Sequence, residues 1–398
     1  MFSEHEENMS ALRVGVIGIG NIGTSHAQCI AQGQISGLTL TAVCDHEPSR
    51  LEWCRDHFPG VSCFSNCQEL IKEKKVDAVV IAVPHPLHGD IAMAALKNGL
   101  HVLVEKPVDI TVTKAEKLNA CARECGRVFA VMFNQRTNGL YAKARQIVRE
   151  GRLGELKRSV WIITNWYRTQ HYYDSGNWRA TWAGEGGGVL LNQAPHNLDL
   201  WQWICGMPSE ITAFCDVAKY HRIEVEDDVT IFARYTNGAT GVFMSSTGEY
   251  PGTNRLEISG TLGKLVLENG VLKWWKLPES EREICFQSKE SFPNEKCMYT
   301  EFTSEEGGSH SKILQNFADA ILLGKPLLSP GQEGIHELMI SNAAYLSSWK
   351  GSISVSLPVD ETEFDTLLAE HALQSQKKNT VDVFVNSDGY SDRWQVKW

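Results

Sequence analysis

Residues 13–23 read Arg-Val-Gly-Val-Ile-Gly-Ile-Gly-Asn-Ile-Gly, and this stretch decides the fold of the N-terminal part of the chain. Val14–Ile17 is an apolar run typical of a buried strand, and a helical pattern follows it. Gly18, Gly20 and Gly23 have the spacing Gly-x-Gly-x-x-Gly. The first glycine permits a tight turn, the second lets a phosphate approach the backbone, and the third allows close helix–strand packing. The stretch predicts a strand–turn–helix unit whose turn binds a pyrophosphate.

An acidic residue at the end of the next apolar run supports this interpretation. Asp45 directly follows the run 38–44, where a carboxylate accepts both ribose hydroxyls and repels a 2′-phosphate. This favours NAD over NADP, and Arg50 partly counters the preference. A glycine turn that binds nothing is the alternative. The predicted cofactor-binding residues here are Gly18, Gly20, Asn21, Ile22, Gly23, Asp45 and Arg50.

Residues 1–134 alternate short apolar runs with amphipathic stretches. Apolar runs without polar alternation suit strands buried on both faces, and helical connections suit right-handed crossovers between parallel strands. We therefore expect an α/β domain of the Rossmann type, with a doubly wound parallel sheet.

Residues 135–357 have a different pattern, in which strand-like runs follow one another with turn residues between them. This predicts an α+β domain with a large, mostly antiparallel sheet, closed by helices near 309–323 and 332–348. The tail, residues 358–398, is polar. We expect it either to be a disordered end or to dock on another subunit.

Composition excludes several classes of protein. The chain has 398 residues and a net charge of −10, and an acidic surface disfavours nucleic-acid and anionic-membrane binding. Its N-terminus has no signal-peptide pattern, and no apolar run is long enough to span a membrane. The 11 cysteines include no Cys-x-x-Cys pair, which favours reduced thiols, a cytoplasmic location and no metal site.

Two polar clusters follow predicted strands of the first domain. One contains Val83, Pro84, His85 and His88, and the other is Glu105-Lys106-Pro107. Ligands of doubly wound sheets bind outside the carboxyl ends of the strands. We expect both clusters to face the cofactor, although a lysine after a strand is often only a solvated charge.

A third cluster lies in the second domain, where Trp178-Arg179 precedes the triple glycine 186–188. Asn192, His196 and Asp199 follow at spacings of four and three, which places them on one face of a helix if the segment is helical. A helix start just before Pro195 suits this proline. The alternative is a core histidine.

Together these motifs resemble the Gfo/Idh/MocA family of nicotinamide-dependent sugar and polyol oxidoreductases, over residues 11 to 355. The resemblance implies that Lys106 contacts the reacting hydroxyl and the cofactor ribose, and that His196 is the general acid/base. It also implies that Asn134, Trp178 and Arg179 approach the cofactor or sugar. Many members have an aspartate where this chain has Asn192, which orients a substrate but relays no proton.

Aromatic residues crowd the same part of the second domain. Trp166, Tyr167 and Trp178 fit a sugar pocket, because aromatic faces stack on the C–H faces of pyranose rings, whereas Trp201 and Trp203 fit a core. With Lys106, Asn192 and His196, we predict that Trp166 and Tyr167 bind the substrate.

The predicted function is hydride transfer between a secondary hydroxyl of a sugar or glycoside and NAD. One alternative is a redox-neutral, NAD-dependent glycoside hydrolase, and another is a non-enzymatic nucleotide-sensing regulator. One face of the second sheet needs a cover, so we expect a homo-oligomer, and the family resemblance implies a homodimer or homotetramer. The sequence identifies neither the sugar nor the carbon oxidised.

Overall fold

The computed structural model describes residues 11–376, which form two compact units. The first contains residues 11–134 and 309–335, and the second contains residues 135–308 and 336–376. Within residues 11–376, no helix has both the length and the apolar character needed to cross a membrane.

The first unit is built around a six-stranded sheet in the order β3-β2-β1-β4-β5-β6, with every strand parallel to its neighbours. This confirms the predicted doubly wound sheet. Its strands are β1 (Leu12–Ile17), β2 (Leu38–Cys44), β3 (Ser62–Phe64), β4 (Ala78–Ile81), β5 (His101–Val104) and β6 (Phe129–Val131). Its first five helices are α1 (Asn21–Ala31), α2 (Pro48–His57), α3 (Cys67–Lys72), α4 (His88–Lys97) and α5 (Val112–Cys125).

The second unit contains a nine-stranded sheet in the order β14-β13-β12-β11-β7-β10-β9-β8-β15, in which only β7 and β10 pair in parallel. The predicted mostly antiparallel sheet is confirmed. Its strands are β7 (Leu156–Ile163), β8 (Glu210–Val217), β9 (Glu226–Arg234), β10 (Thr240–Ser246), β11 (Asn254–Gly260), β12 (Gly263–Glu268), β13 (Val271–Lys276), β14 (Met298–Thr303) and β15 (Val355–Ser356). The remaining helices are α6 (Gly139–Arg149), α7 (Gln170–Asp174), α8 (Trp182–Glu185), α9 (Pro195–Cys205), α10 (Glu281–Gln287), α11 (His310–Leu323), α12 (Gly334–Trp349) and α13 (Glu361–Leu373).

Helix α11 belongs to the first unit, so its expected place in the second domain is wrong. Its buried residues Ile313, Leu314 and Phe317 join the core cluster that contains Val14 and Val80 of the parallel sheet. An amphipathic pattern shows that a helix has an apolar face, but not which sheet that face covers. The chain therefore returns to the first unit after most of the second is complete.

One face of the nine-stranded sheet is covered by a helix, and the other carries exposed apolar side chains. Helix α9 packs on one face, where Trp201 is fully buried and its Nε1 donates to Ser159 Oγ at 2.9 Å. This confirms the expected core position of Trp201. The opposite face carries Phe214, Phe232 and Met244 on three adjacent strands, and each of these side chains is exposed.

The first part of the polar tail packs on the second unit of the same chain. The sequence analysis expected either a disordered end or docking on another subunit, and neither describes this part. In α13, Phe364 is 1% exposed and stacks on Trp349, and His371 packs on Trp182 of α8. The following residues bond the same unit, since Ser375 Oγ accepts from Ala183 N at 3.0 Å. Residues 377–398 lie outside the described part of the chain.

Candidate active site

The glycine turn after β1 has the geometry that its spacing predicts. Gly18 has a φ of +91°, and a Cβ there would lie 2.4 Å from Ala82 O. A Cβ on Gly23 would lie 1.8 Å from Gly18 O, so neither position accepts a side chain. Gly20 differs, because the only atom near its Cβ position is Arg50 Nη1 at 3.7 Å. Space thus remains at the residue where a phosphate is expected to approach.

Helix α1 begins at Asn21, with Ile22 and Gly23 in its first turn, and no side chain caps it at Gly20. The first N–H groups of a helix lack intrahelical acceptors, and the positive end of the helix dipole lies there. This terminus therefore fits the pyrophosphate of a dinucleotide.

Asp45 lies at the end of β2, beside the same turn. Its carboxylate accepts hydrogen bonds from Ile19 N at 2.7 Å and Glu47 N at 2.9 Å, and it is 5% exposed. Arg50 Nη1 approaches it at 3.3 Å. The structure thus brings together the turn, the carboxylate and the arginine that were predicted to bind cofactor, and this arrangement fits an NAD ribose and pyrophosphate.

The substitution Gly20→Ala tests the turn directly. We expect the protein to fold normally, because the Cβ position is open, but to bind NADH about tenfold or more weakly, because a methyl group would occupy the closest approach of the pyrophosphate. NADH binding is measured by fluorescence titration and folding by the Tm. Gly307→Ala is the matched control, since no atom lies within 4 Å of its Cβ position. Unchanged NADH affinity in a stable Gly20→Ala variant would exclude this role.

The loops after β4 and β5 are tied together by His88. Its Nδ1 lies 2.7 Å from Pro107 O, its Nε2 lies 2.8 Å from Val83 O, and the residue is 1% exposed. Both ring nitrogens face backbone carbonyls. The His88 side chain therefore holds two loops together, and the predicted contact of this residue with the cofactor stays a prediction. Pro84 precedes a 3-10 helix that begins at His85, which is also buried.

Glu105 is likewise held inside the first unit. Its carboxylate is buried and accepts from His26 Nε2 at 2.8 Å. Burial opposes ionisation, but the hydrogen bond and charge of His26 outweigh it and lower the pKa of Glu105 to about 2. Burial also lowers the pKa of nearby His310 to about 4, and Asn134 Nδ2 lies 3.4 Å from His310 Nδ1.

These contacts separate the roles of two neighbouring residues. Glu105 is an ionised, buried carboxylate that orders the end of β5, whereas the next residue, Lys106, is only half-buried. A lysine in this position remains accessible to a ligand at the carboxyl end of the sheet. The Glu105 side chain therefore supports the end of β5, and the predicted contact of this residue with the cofactor stays a prediction.

In the second unit, His196 occupies the first turn of α9, which starts at Pro195 as predicted. Asn192 lies before the helix, and Asp199 is buried. Arg136 donates to Asp199 from Nε at 2.8 Å and from Nη2 at 2.6 Å. The predicted shared helical face is therefore wrong, because Asn192 is not helical and Asp199 is part of a buried ion pair.

A buried carboxylate fixes the turn that leads to His196. Glu226 accepts from Gly188 N and Leu190 N at 2.9 Å each and from Tyr345 Oη at 2.7 Å. A Cβ on Gly188 would lie 2.0 Å from Glu226 O. The triple glycine thus allows close approach to β9, and three hydrogen bonds hold the turn in place.

The pH dependence of stability should report on Glu226. Burial raises the pKa of this carboxyl from 4.5 to about 7, against the hydrogen bonds that lower it. A raised folded-state pKa contributes stability that is present below pH 4.5 and lost as the pH rises to about 7. This loss is on the order of 3 kcal/mol.

Glu226→Gln removes this titration, so wild type should lose stability relative to the variant between pH 4.5 and pH 8, as measured by urea unfolding. The exposed Glu279→Gln is the control and should follow wild type. If the free energy of unfolding of wild type and of Glu226→Gln changed with pH in the same way, the raised pKa of Glu226 would be contradicted.

The sequence analysis missed Glu185, which lies directly before the triple glycine. It is 2% exposed, and its carboxylate accepts from Asn192 Nδ2 and, at 2.5 Å, from Ala180 N. A buried carboxylate therefore lies against Asn192, the residue that replaces the aspartate of many family members. An acid next to three glycines in Trp-Ala-Gly-Glu-Gly-Gly-Gly was the available signal.

The predicted aromatic residues occupy different positions in the second unit. Trp166 is 6% exposed, and its Nε1 donates to Asn197 Oδ1 at 3.1 Å, beside His196 in sequence. Tyr167 is 41% exposed and lies 5.2 Å from the ring of Tyr250. Trp166 therefore supports the start of α9, whereas Tyr167 presents an accessible ring.

Trp178 and Arg179 stand together, since the guanidinium carbon of Arg179 lies 4.5 Å from the centre of the indole. Arg179 Nη1 also donates to Tyr172 Oη at 2.9 Å, and Tyr172 Oη lies 3.4 Å from Asn192 Oδ1. The structure thus connects Trp178, Arg179 and Asn192 through Tyr172.

Comparisons with known proteins identify the family of the two units. The family model described as "Oxidoreductase family, NAD-binding Rossmann fold" matches residues 12–133, and the "GFO/IDH/MocA C-terminal domain" model matches residues 141–266. Myo-inositol 2-dehydrogenase of Thermotoga maritima is 24% identical over 84% of this chain and 95% of its own. The scyllo-inositol 2-dehydrogenase (NAD(+)) of Bacillus subtilis is 24% identical over 87% and 97%, respectively.

A solved structure is similar to most of this chain. The WlbA dehydrogenase from Bordetella pertussis, in complex with NADH and UDP-GlcNAcA, superposes with a TM-score of 0.73 at 25% identity, covering 88% of this chain and 100% of its own. The family models together match more than half of the 398 residues. With its NAD-binding Rossmann unit and its matching C-terminal domain, the chain belongs to the Gfo/Idh/MocA oxidoreductase family.

Proposed function

We propose that the protein oxidises a secondary hydroxyl of a sugar or glycoside with NAD as the hydride acceptor, and catalyses the reverse reaction. The observation that carries this proposal is the half-buried Lys106, which follows β5 of a sheet whose glycine turn and Asp45 fit NAD. Two relatives that are named inositol 2-dehydrogenases support a cyclic polyol or sugar as the substrate class.

In this proposal, His196 and Lys106 have the roles that the family resemblance implies. His196 takes the hydroxyl proton as the general base, the role that the family resemblance implies for it. Lys106 donates a hydrogen bond to the oxygen and stabilises the negative charge that develops there. Asn192, held by Glu185, orients a neighbouring hydroxyl. Bound NAD supplies the acceptor for the hydride that leaves the carbinol carbon.

The test is NADH formation by purified protein with NAD and a panel of sugars, inositols and glycosides. We expect steady NADH accumulation with at least one of them. NADP should be a poorer cofactor, because Asp45 repels a 2′-phosphate. Absence of NADH with every compound, together with absence of NAD formation from NADH and the corresponding ketones, would overturn the proposal.

A redox-neutral glycoside hydrolase remains the second candidate, favoured by the amide of Asn192 where many members have a carboxylate. There, oxidation at one ring carbon acidifies the neighbouring C–H, elimination expels the aglycone, water adds, and the hydride returns. Release of aglycone without NADH accumulation would identify this route. The nucleotide-sensing regulator requires that Lys106→Ala and His196→Ala leave all turnover unchanged.

We also propose that the protein is a cytoplasmic homodimer or homotetramer that binds neither nucleic acid nor membranes. The exposed side chains of Phe214, Phe232 and Met244 form an apolar area on one face of the large sheet, and such areas are typical of subunit interfaces. Light scattering after gel filtration measures the mass. A monomer at micromolar concentration would contradict this assembly.

A further inference from the structure

Two arginines of the second unit lie against one tyrosine. The guanidinium carbon of Arg168 is 5.1 Å from the ring centre of Tyr172, and that of Arg179 is 4.7 Å from the same centre. Each guanidinium also lies on a tryptophan, Arg168 on Trp166 at 5.5 Å and Arg179 on Trp178 at 4.5 Å. Aromatic faces hold both cations in defined positions.

This pair is connected to the residue proposed to orient the substrate. Tyr172 Oη accepts from Arg179 Nη1 at 2.9 Å and donates to Asn192 Oδ1 at 3.4 Å. The Arg179 guanidinium is therefore two hydrogen bonds from Asn192. The carboxylate of this network, Glu185, already accepts from Asn192 and Ala180.

Arg168 differs in its partners from the buried Arg136 and from Arg255 of the same unit. Its Nη1 donates to two backbone carbonyl oxygens, Trp166 O at 3.2 Å and Tyr167 O at 2.9 Å. By contrast, Arg136 pairs with Asp199, and Arg255 pairs with Glu257 and Glu268. Within residues 11–376, Arg168 forms no ion pair with a carboxylate. A guanidinium has five N–H donors, so donors remain for an external oxyanion.

We propose that the substrate of this enzyme carries an oxyanion, the carboxylate of a sugar acid or the phosphate of a sugar phosphate, and that Arg168 and Arg179 bind it. The inference rests on the proposed function, since it describes the substrate of the same site. Planar guanidinium groups match the geometry of both oxyanions. Arg168, which lies on the ring of the tyrosine that donates to Asn192, would thus favour an anionic sugar over a neutral one.

The experiment compares uronates and aldonates, hexose phosphates and the matched neutral sugars as substrates with NAD. Wild type should have the higher kcat/KM for one of the charged classes, and the class preferred identifies the oxyanion. Arg168→Gln should lower kcat/KM for that class about 10- to 100-fold, since hydrogen bonds between charged groups are strong, with little change for neutral sugars. Arg168→Lys should retain part of the selectivity.

Arg222→Gln is the matched control, because it removes an exposed arginine of the same unit that is outside this network. It should leave the selectivity unchanged. Equal or better turnover of neutral sugars by wild type, or an equal loss for charged and neutral sugars in Arg168→Gln, would overturn the inference while leaving the oxidoreductase proposal intact.

If no compound is oxidised, calorimetric titration of the same charged sugars into the protein with NADH decides the question separately. Binding by wild type that weakens in Arg168→Gln supports the oxyanion site, and absence of such binding overturns it.

Discussion

Replacement of His196 by asparagine is expected to lower kcat for sugar oxidation by about 10²- to 10⁴-fold, the usual contribution of a positioned general base. His196 occupies the first turn of α9. Glu226 holds the turn before this helix through its hydrogen bond from Gly188 N, and Trp166 bonds Asn197 in the helix itself. NADH affinity should not change, because the cofactor is bound by the first unit. Steady-state kinetics and NADH titration measure the two quantities.

The pH profile gives a second readout for His196. A base must be deprotonated to accept the hydroxyl proton, so the rate of oxidation by wild type should fall at acidic pH. In His196→Asn this fall in rate at acidic pH should disappear. His57→Asn, which removes an exposed imidazole from the first unit, should retain both rate and profile. If His196→Asn kept the fall in rate at acidic pH that wild type has, a residue other than His196 would be the general base.

Replacement of Lys106 by methionine is expected to lower kcat by about 10²- to 10³-fold, because a fixed donor to a developing alkoxide contributes on this scale. Methionine preserves much of the aliphatic length but removes the charge and the donors. The loss should appear mainly in kcat, since the donor matters most where negative charge develops. Rate measurements at saturating NAD and sugar test this.

Lys106→Arg is the matched variant, because it keeps the charge with a different geometry. We expect partial activity from it. The exposed Lys97→Met should be indistinguishable from wild type. A lowered Tm of Lys106→Met, with an unchanged kcat at temperatures below that Tm, would contradict the catalytic role. Lys106 would then be a structural residue beside Glu105.

Local sequence patterns predicted the first sheet well. The glycine spacing and the position of Asp45 each depend on a few consecutive residues, and the structure has both in the expected geometry. The short strand β3 is harder to detect in the sequence, because its three residues are all only partly buried. A strand of that length leaves almost no periodicity to detect.

Spacing was a poorer guide in the second domain. Asn192, His196 and Asp199 have helical spacing, but the helix starts only at Pro195. Asp199 is bound by Arg136, which is distant in sequence. Long-range partners such as this one, and the contact of Glu185 with Asn192, have no periodic signature. They emerge only when the chain is folded.

The sequence by itself determined the two sheet classes and the nucleotide-binding turn, because each depends on local periodicity or on a short motif. The candidate residues Lys106 and His196 followed from the family resemblance of their motifs. Only the tertiary structure assigned α11 to the first unit and placed residues 361–376 on the second. It alone showed that His88 and Glu105 support loops, whereas Arg168 has no carboxylate partner within residues 11–376. The physical reason is that burial and hydrogen bonding join residues far apart in sequence, and a pattern read along one chain does not specify which apolar faces or charges meet.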